Sequence, residues 1–146
     1  MKIAAALLLL MAAPAVAAAE AIVLPGISYD VLRSGPETGT HPTRADEADV
    51  RYVGRLTNGA VFSTSPDGGK GISTFDVQRV IPGFMAALLL MRPGDHWRVT
   101  LPAYLAYGAP GRRLGPEASA MQSRDIPPDS ILIFDIELVA VRGAKP

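Results

Sequence analysis

The stretch VRYVGRLTNGAVFST, Val50–Thr64, decides the fold of this 146-residue chain. Its first half alternates: Val50, Tyr52, Gly54 and Leu56 point one way, Arg51, Val53 and Arg55 the other. A period of two is that of a strand with one buried face. Asn58-Gly59 follows, and both residues tolerate a positive φ, so the chain is expected to turn back there. Val61–Thr64 is then the returning strand.

Working outward, Ile27–Leu32 reads as a short strand, followed by a loop through about Ala48 that holds Gly35, Pro36, Gly39 and Pro42. Downstream, Ser65–Gly71 contains Pro66 and Gly68-Gly69 and reads as a loop, and Phe75–Val77 as a short strand. Pro82 suits the first turn of a helix, where its missing N–H costs nothing. Gly83–Met91 supplies helix formers, and Arg92-Pro93-Gly94 stops them, because the residue before proline avoids the α region. Trp97–Leu101 alternates again, with Trp97, Val99 and Leu101 on one face. Tyr104–Arg113 is irregular, and Leu114–Asp125 has no clear period. Ser130–Val141 is the longest strand, with Leu132, Phe134, Ile136 and Leu138 against Ile133, Asp135 and Glu137. The fold class is α+β, several antiparallel strands with one short helix covering a sheet face. That helix carries no polar side chain between Phe84 and Met91. Phe84, Leu88 and Met91 make the inward stripe. At least one of the pairs Met85/Leu89 and Ala86/Leu90 should face outward, unless the Arg112–Arg124 loop or the N-terminal segment covers it.

Composition limits the chemistry. Fourteen Lys and Arg balance fourteen Asp and Glu, so no basic surplus exists to meet nucleic-acid phosphates. The absence of cysteine excludes disulfides, thiolate catalysis and cysteine metal sites. Two histidines, His41 and His96, leave little for a metal centre, and no cofactor is expected. Asp135 and Glu137 share a strand face and read as its solvated side. Arg112-Arg113 reads as a solvated basic pair, and His96 as a turn residue beside a core tryptophan. An enzyme built this way needs a reaction without a nucleophile or an acid–base pair. Rotation about an X–Pro bond is such a reaction: its barrier of about 18–20 kcal/mol is amide resonance, and a water-excluding apolar pocket favours the less polar twisted amide.

The start of the chain reads as an export signal. Lys2 precedes Ile3–Ala19, seventeen residues without charge, with Leu7–Leu10 at the centre and Ala17-Ala18-Ala19 before Glu20. A bilayer span usually takes about 20 apolar residues, so cleavage after Ala19 is expected over an anchor. The expected organisation is a signal peptide at 1–19, a strand and loop at 20–48 leading in, and the domain at 49–142, in the periplasm or secreted, without stable membrane insertion.

Five ordered blocks carry a resemblance to FKBP-type peptidyl-prolyl isomerases, spanning about Leu24–Val141. They are Val50–Leu56, Asn58–Phe62, Val80–Phe84, Ala106-Tyr107-Gly108, and Ile126-Pro127-Pro128 followed by Leu132–Leu138. The resemblance implies an antiparallel half-wrapped sheet around one short helix, with a pocket between them. It implies catalytic roles for Tyr52, Phe62, Ile81, Tyr107 and Phe134. Tyr52 matches the wall tyrosine, Phe62 the phenylalanine after the hairpin, and Tyr107 the tyrosine whose hydroxyl reaches the bound peptide. The Ile81 N–H would donate to a substrate carbonyl. Phe75, Val80, Phe84 and Ile126 would bind substrate, Phe84 standing at the floor where tryptophan is common. Ser63 departs from the aspartate of many members, and Arg112–Arg124 looks inserted over the pocket. The implied function is peptidyl-prolyl cis–trans isomerisation in exported proteins. The partners would be unfolded or partly folded proline-containing proteins. A chaperone-like module that binds such segments without catalysis is the alternative. The helical dimerisation arm of some secreted members has no counterpart in these residues, so a monomer is expected.

Overall fold

The computed structural model describes residues 25–116 and 122–143. The expected leader at 1–19 and the middle of the expected Arg112–Arg124 insertion lie outside them. Six strands form one antiparallel sheet: β1 Ser28–Arg33, β2 Glu47–Leu56, β3 Val61–Thr64, β4 Ser73–Asp76, β5 His96–Leu101 and β6 Leu132–Arg142. The order is β1-β5-β6-β2-β3, and β4 pairs with the first half of β2 beside β3. The helix Pro82–Leu90 packs on the concave face. The half-wrapped α+β architecture read from the sequence is the one present.

Alternation sets this arrangement. Along β6, Leu132, Phe134, Ile136 and Leu138 are buried and the residues between them half-buried. Along β2 the same holds for Val50, Tyr52 and Gly54. The two strands pair over nearly their full length, with Gly54 opposite Phe134 and Tyr52 opposite Ile136. The hairpin closes as read, Gly59 taking φ +85° and donating its N–H to the Leu56 carbonyl at 2.9 Å. Pro82 stands in the first helical turn, and the chain leaves the helix at Met91 in extended backbone. Phe84, Leu88 and Met91 are buried, while Leu90 is 48% exposed, so Ala86/Leu90 is the outward pair. Of the Arg112–Arg124 loop, Gln122 and Ser123 lie on β3: Ser123 donates its N–H to the Phe62 carbonyl at 2.9 Å, and Gln122 bridges to Ser63.

Some boundaries differ from the reading. The second strand begins at Glu47, inside the expected loop, because Glu47–Val50 pairs with both β4 and β6. The short strand before the helix is Ser73–Asp76, and Val77 already belongs to a 3-10 turn, Val77–Arg79. A second such turn spans Ala103–Leu105. The Ser65–Gly71 loop contains a tight helical turn, Pro66–Gly69, with Asp67 and Gly68 left-handed. His96 opens β5 instead of sitting in the turn before it. The strand β1 is a full member of the sheet, bound to β5, with Tyr29 stacked on Trp97 at 4.2 Å between centroids.

The convex face is laced with ion pairs. Asp135 bridges Arg98 and Arg55, and Glu137 bridges Arg33 and Arg51. The hydrogen bond from Arg98 holds the Asp135 carboxyl below its ordinary value, against the opposing effect of burial. At the sheet's end, burial pushes the Asp49 carboxyl up, but hydrogen bonds from Thr74 and Arg142 bring it below ordinary. Both carboxyls therefore bind protons less readily folded than unfolded. Their contribution is fully present above about pH 4–5 and is lost as pH falls through the folded values. The urea midpoint is expected to drop between pH 6 and pH 3, and to drop less in Asp135→Asn. An equal drop in that variant would remove Asp135 from the account.

Candidate active site

Four strands and the helix entry build one cavity of about 490 Å³ on the concave face. The β2 strand contributes Tyr52, β3 Phe62 and Ser63, β4 Phe75, and β6 Phe134. Val80 and Ile81 line it from the approach to the helix, Phe84 from its first turn, and Tyr107 from the loop beyond β5. All four phenylalanines of the chain thus meet in one place. Their rings pack edge-on: Phe84 lies 5.2 Å from Phe134 and 5.9 Å from Tyr52, and Phe62 5.5 Å from Phe134. Phe75 stands 5.7 Å from Tyr52 and 6.2 Å from Phe84. These are the separations at which aromatic pairs attract through their quadrupoles.

Two backbone features make the packing possible. A register shift between Gly54 and Arg55 inserts one extra residue in β3. A bulge of this kind turns two successive residues toward one partner, and both Phe62 and Ser63 are buried. Gly54 has no side chain where a Cβ would stand 2.7 Å from Phe62 and 2.8 Å from Phe134. The glycine in the alternating strand therefore leaves room for two rings.

The polar groups at the cavity are few. The Tyr52 hydroxyl and Ser63 Oγ share a hydrogen bond of 2.9 Å. Burial pushes the Tyr52 phenol above its ordinary value, with the Ser63 bond acting in the other direction. Tyr107 accepts a hydrogen bond from Arg112 Nη1 at 3.0 Å. Ile81 precedes the first helical residue, so its N–H falls among the donors a helix leaves without an intrahelical partner. Among the described residues, no cluster of three or more histidine or acidic side chains is placed to hold a metal ion.

Eight of the nine side chains expected at the site are brought together: Tyr52, Phe62, Phe75, Val80, Ile81, Phe84, Tyr107 and Phe134. Ile126 is not in the lining. It is buried in the core, and its backbone exchanges two hydrogen bonds with Arg112, at 2.9 and 2.7 Å. That exchange carries Arg112 to the cavity, which corrects the reading of the Arg112-Arg113 pair as merely solvated. Arg79 and Gln122 also line the cavity and were not foreseen. The Arg79 signal was its place just before Val80-Ile81; Gln122 gave none.

A sheet half-wrapped on a short helix, with an aromatic cavity between them, is the architecture that the sequence blocks imply. Residues 38–139 match the family model of FKBP-type peptidyl-prolyl cis-trans isomerases, and the chain belongs to this family. It is 41% identical over 124 residues to the outer membrane protein MIP of Legionella longbeachae, covering 84% of this chain and 48% of that protein. It is 37% identical over 116 residues to the FKBP-type 22 kDa peptidyl-prolyl cis-trans isomerase of Escherichia coli, covering 80% and 50%. The chain thus spans about half the length of these curated relatives. A crystal structure of a peptidyl-prolyl cis-trans isomerase from Pseudomonas syringae superposes with a TM-score of 0.64 at 36% identity, over 80% of this chain and 75% of that one.

Gly54→Ala is expected to displace Phe62 and Phe134, at a cost of about 1–3 kcal/mol, the usual range for overpacking a core. Thermal or urea unfolding measures it. A variant as stable as the parent would show that the rings have room to spare.

Proposed function

We propose that this chain catalyses cis–trans rotation about X–Pro bonds. The observation that carries the reading is the cavity itself: six aromatic rings and two aliphatic side chains, with no carboxylate or histidine among the described lining residues. Twisting the amide localises the nitrogen lone pair and reduces charge on the carbonyl oxygen. Water stabilises the planar, more polar amide. A pocket that excludes water removes that advantage and so lowers the barrier. In this reading Phe84 forms the floor under the prolyl ring, and Tyr52, Phe62, Phe75 and Phe134 form the walls. The Ile81 N–H donates to a substrate carbonyl, with Val80 beside it. Tyr107 receives its hydrogen bond from Arg112, so its own O–H proton is free to reach the peptide. Ile126 acts at one remove, by holding Arg112.

The substrates in this reading are proline-containing segments of exported proteins whose folding waits on isomerisation, which takes tens to hundreds of seconds uncatalysed. Residues 1–19 would direct export and be cleaved, leaving the domain to act as a monomer in the periplasm. Support for that address is the order of charge, apolar run and small residues in the sequence.

A protease-coupled assay on X–Pro peptides tests the activity. Phe62→Ala is expected to lose most of it. Phe134→Ala should also lose about 3–5 kcal/mol of stability, as other buried phenylalanines do. Tyr107→Phe should cost less, about 1 kcal/mol for one hydrogen bond. The value of kcat/KM is expected to be flat from about pH 6 to 9, because the described lining holds no histidine or carboxylate. A bell-shaped profile in that range would contradict a mechanism without proton transfer. Binding of proline peptides with no change in their rotation rate would favour the non-catalytic alternative.

A further inference from the structure

The cavity is apolar inside but not neutral at its mouth. Among the described residues its lining holds two guanidinium groups, Arg79 and Arg112, and no carboxylate. Ser63, set between the aromatic walls, is uncharged and engaged with Tyr52.

Both cations are held where a bound peptide would meet them. Arg112 is pinned through its backbone to Ile126, and its guanidinium carbon lies 5.4 Å from the centre of the Tyr107 ring. Its Nη1 bonds the Tyr107 hydroxyl. Among the described residues no carboxylate lies within ion-pair distance of it; the nearby Asp125 accepts the Leu114 N–H at 2.6 Å. Arg79 uses its Nε on Asp76 at 3.2 Å, but its side chain is 79% exposed, and Asp76 does not line the cavity. An exposed pair of this kind is weakly held, and the two Nη groups remain for a ligand.

We propose that Arg79 and Arg112 are specificity determinants that favour proline segments with an acidic side chain adjacent to the proline. The proposal rests on the isomerase reading above and names the charge class of its substrate. A glutamate beside the proline meets two cations that line the same cavity, and a lysine there meets the same cations as repulsion, both screened over a Debye length of about 8 Å at physiological salt.

The experiment uses three neutral-tailed peptide series, with Glu, Gln or Lys placed just before or just after the proline. Turnover is measured by the protease-coupled assay and affinity by fluorescence anisotropy. The Glu peptide is expected to exceed the Lys peptide roughly three- to tenfold in kcat/KM at low salt. That ratio should shrink toward one in 0.5 M salt, and in Arg79→Gln combined with Arg112→Gln. The ratio within each variant is the readout, so a change in its overall activity does not matter. Folding of the double variant is checked by its unfolding midpoint, and each single substitution should give a partial loss of the ratio. Equal turnover and affinity for Glu and Lys peptides at both positions would overturn the proposal. So would a ratio that survives the removal of both arginines. If no peptide is turned over, the isomerase reading fails, and the anisotropy ratios still decide the charge preference.

Discussion

The rings of Phe62 and Phe134 meet over Gly54, and much of the structure is arranged around that contact. It requires a strand position with no side chain, since a Cβ there would stand 2.7 Å from one ring and 2.8 Å from the other. It requires β6 beside β2 in the register that sets Phe134 opposite Gly54. It also requires the extra residue in β3 that turns Phe62 inward next to Ser63. Phe84, brought by the helix, closes on Phe134 from the other side. A helix apolar on every face is tolerated because its first turn completes this cluster, while Leu90 is left half in solvent.

The chemistry follows from the same packing. The described lining of the site holds no carboxylate or histidine, and Tyr52 is pushed further from ionisation by its burial. In the proposed reading, what such a site offers a bound amide is a surrounding of aromatic rings in place of water. The two arginines that line it, Arg79 and Arg112, are exposed, and in the proposed reading they bear on which peptide approaches. On the opposite face of the sheet, charge has a structural use: Asp135 and Glu137 on one strand tie together arginines from β1, β2 and β5.

The parts of this fold that rest on local periodicity were legible. The alternation in β2 and β6, the Asn58-Gly59 turn and the Pro82 helix start all appear at or near their expected residues, because burial on one face and turn chemistry are properties of neighbouring residues. The eight lining residues were found through ordered blocks in the sequence. What escaped depends on contacts between distant residues. Arg112 reads as a solvated cation until its backbone is seen paired with Ile126, fourteen positions on. Ile126 itself was placed at the pocket wall, and is instead the residue that holds that loop from the core. Strand β1 gives no sign in its own six residues that β5 is its neighbour, and Glu47–Ala48 gave none that the strand had already begun.

The central claim is that a dry aromatic cavity lowers the rotation barrier with no proton in flight. NMR exchange spectroscopy on an X–Pro peptide measures this directly, as the catalysed cis–trans exchange rate in H2O and in D2O. The account requires that the enzyme speed both directions equally and that the two solvents give the same catalysed rate. A catalysed rate clearly slower in D2O would place a proton transfer in the transition state and contradict it.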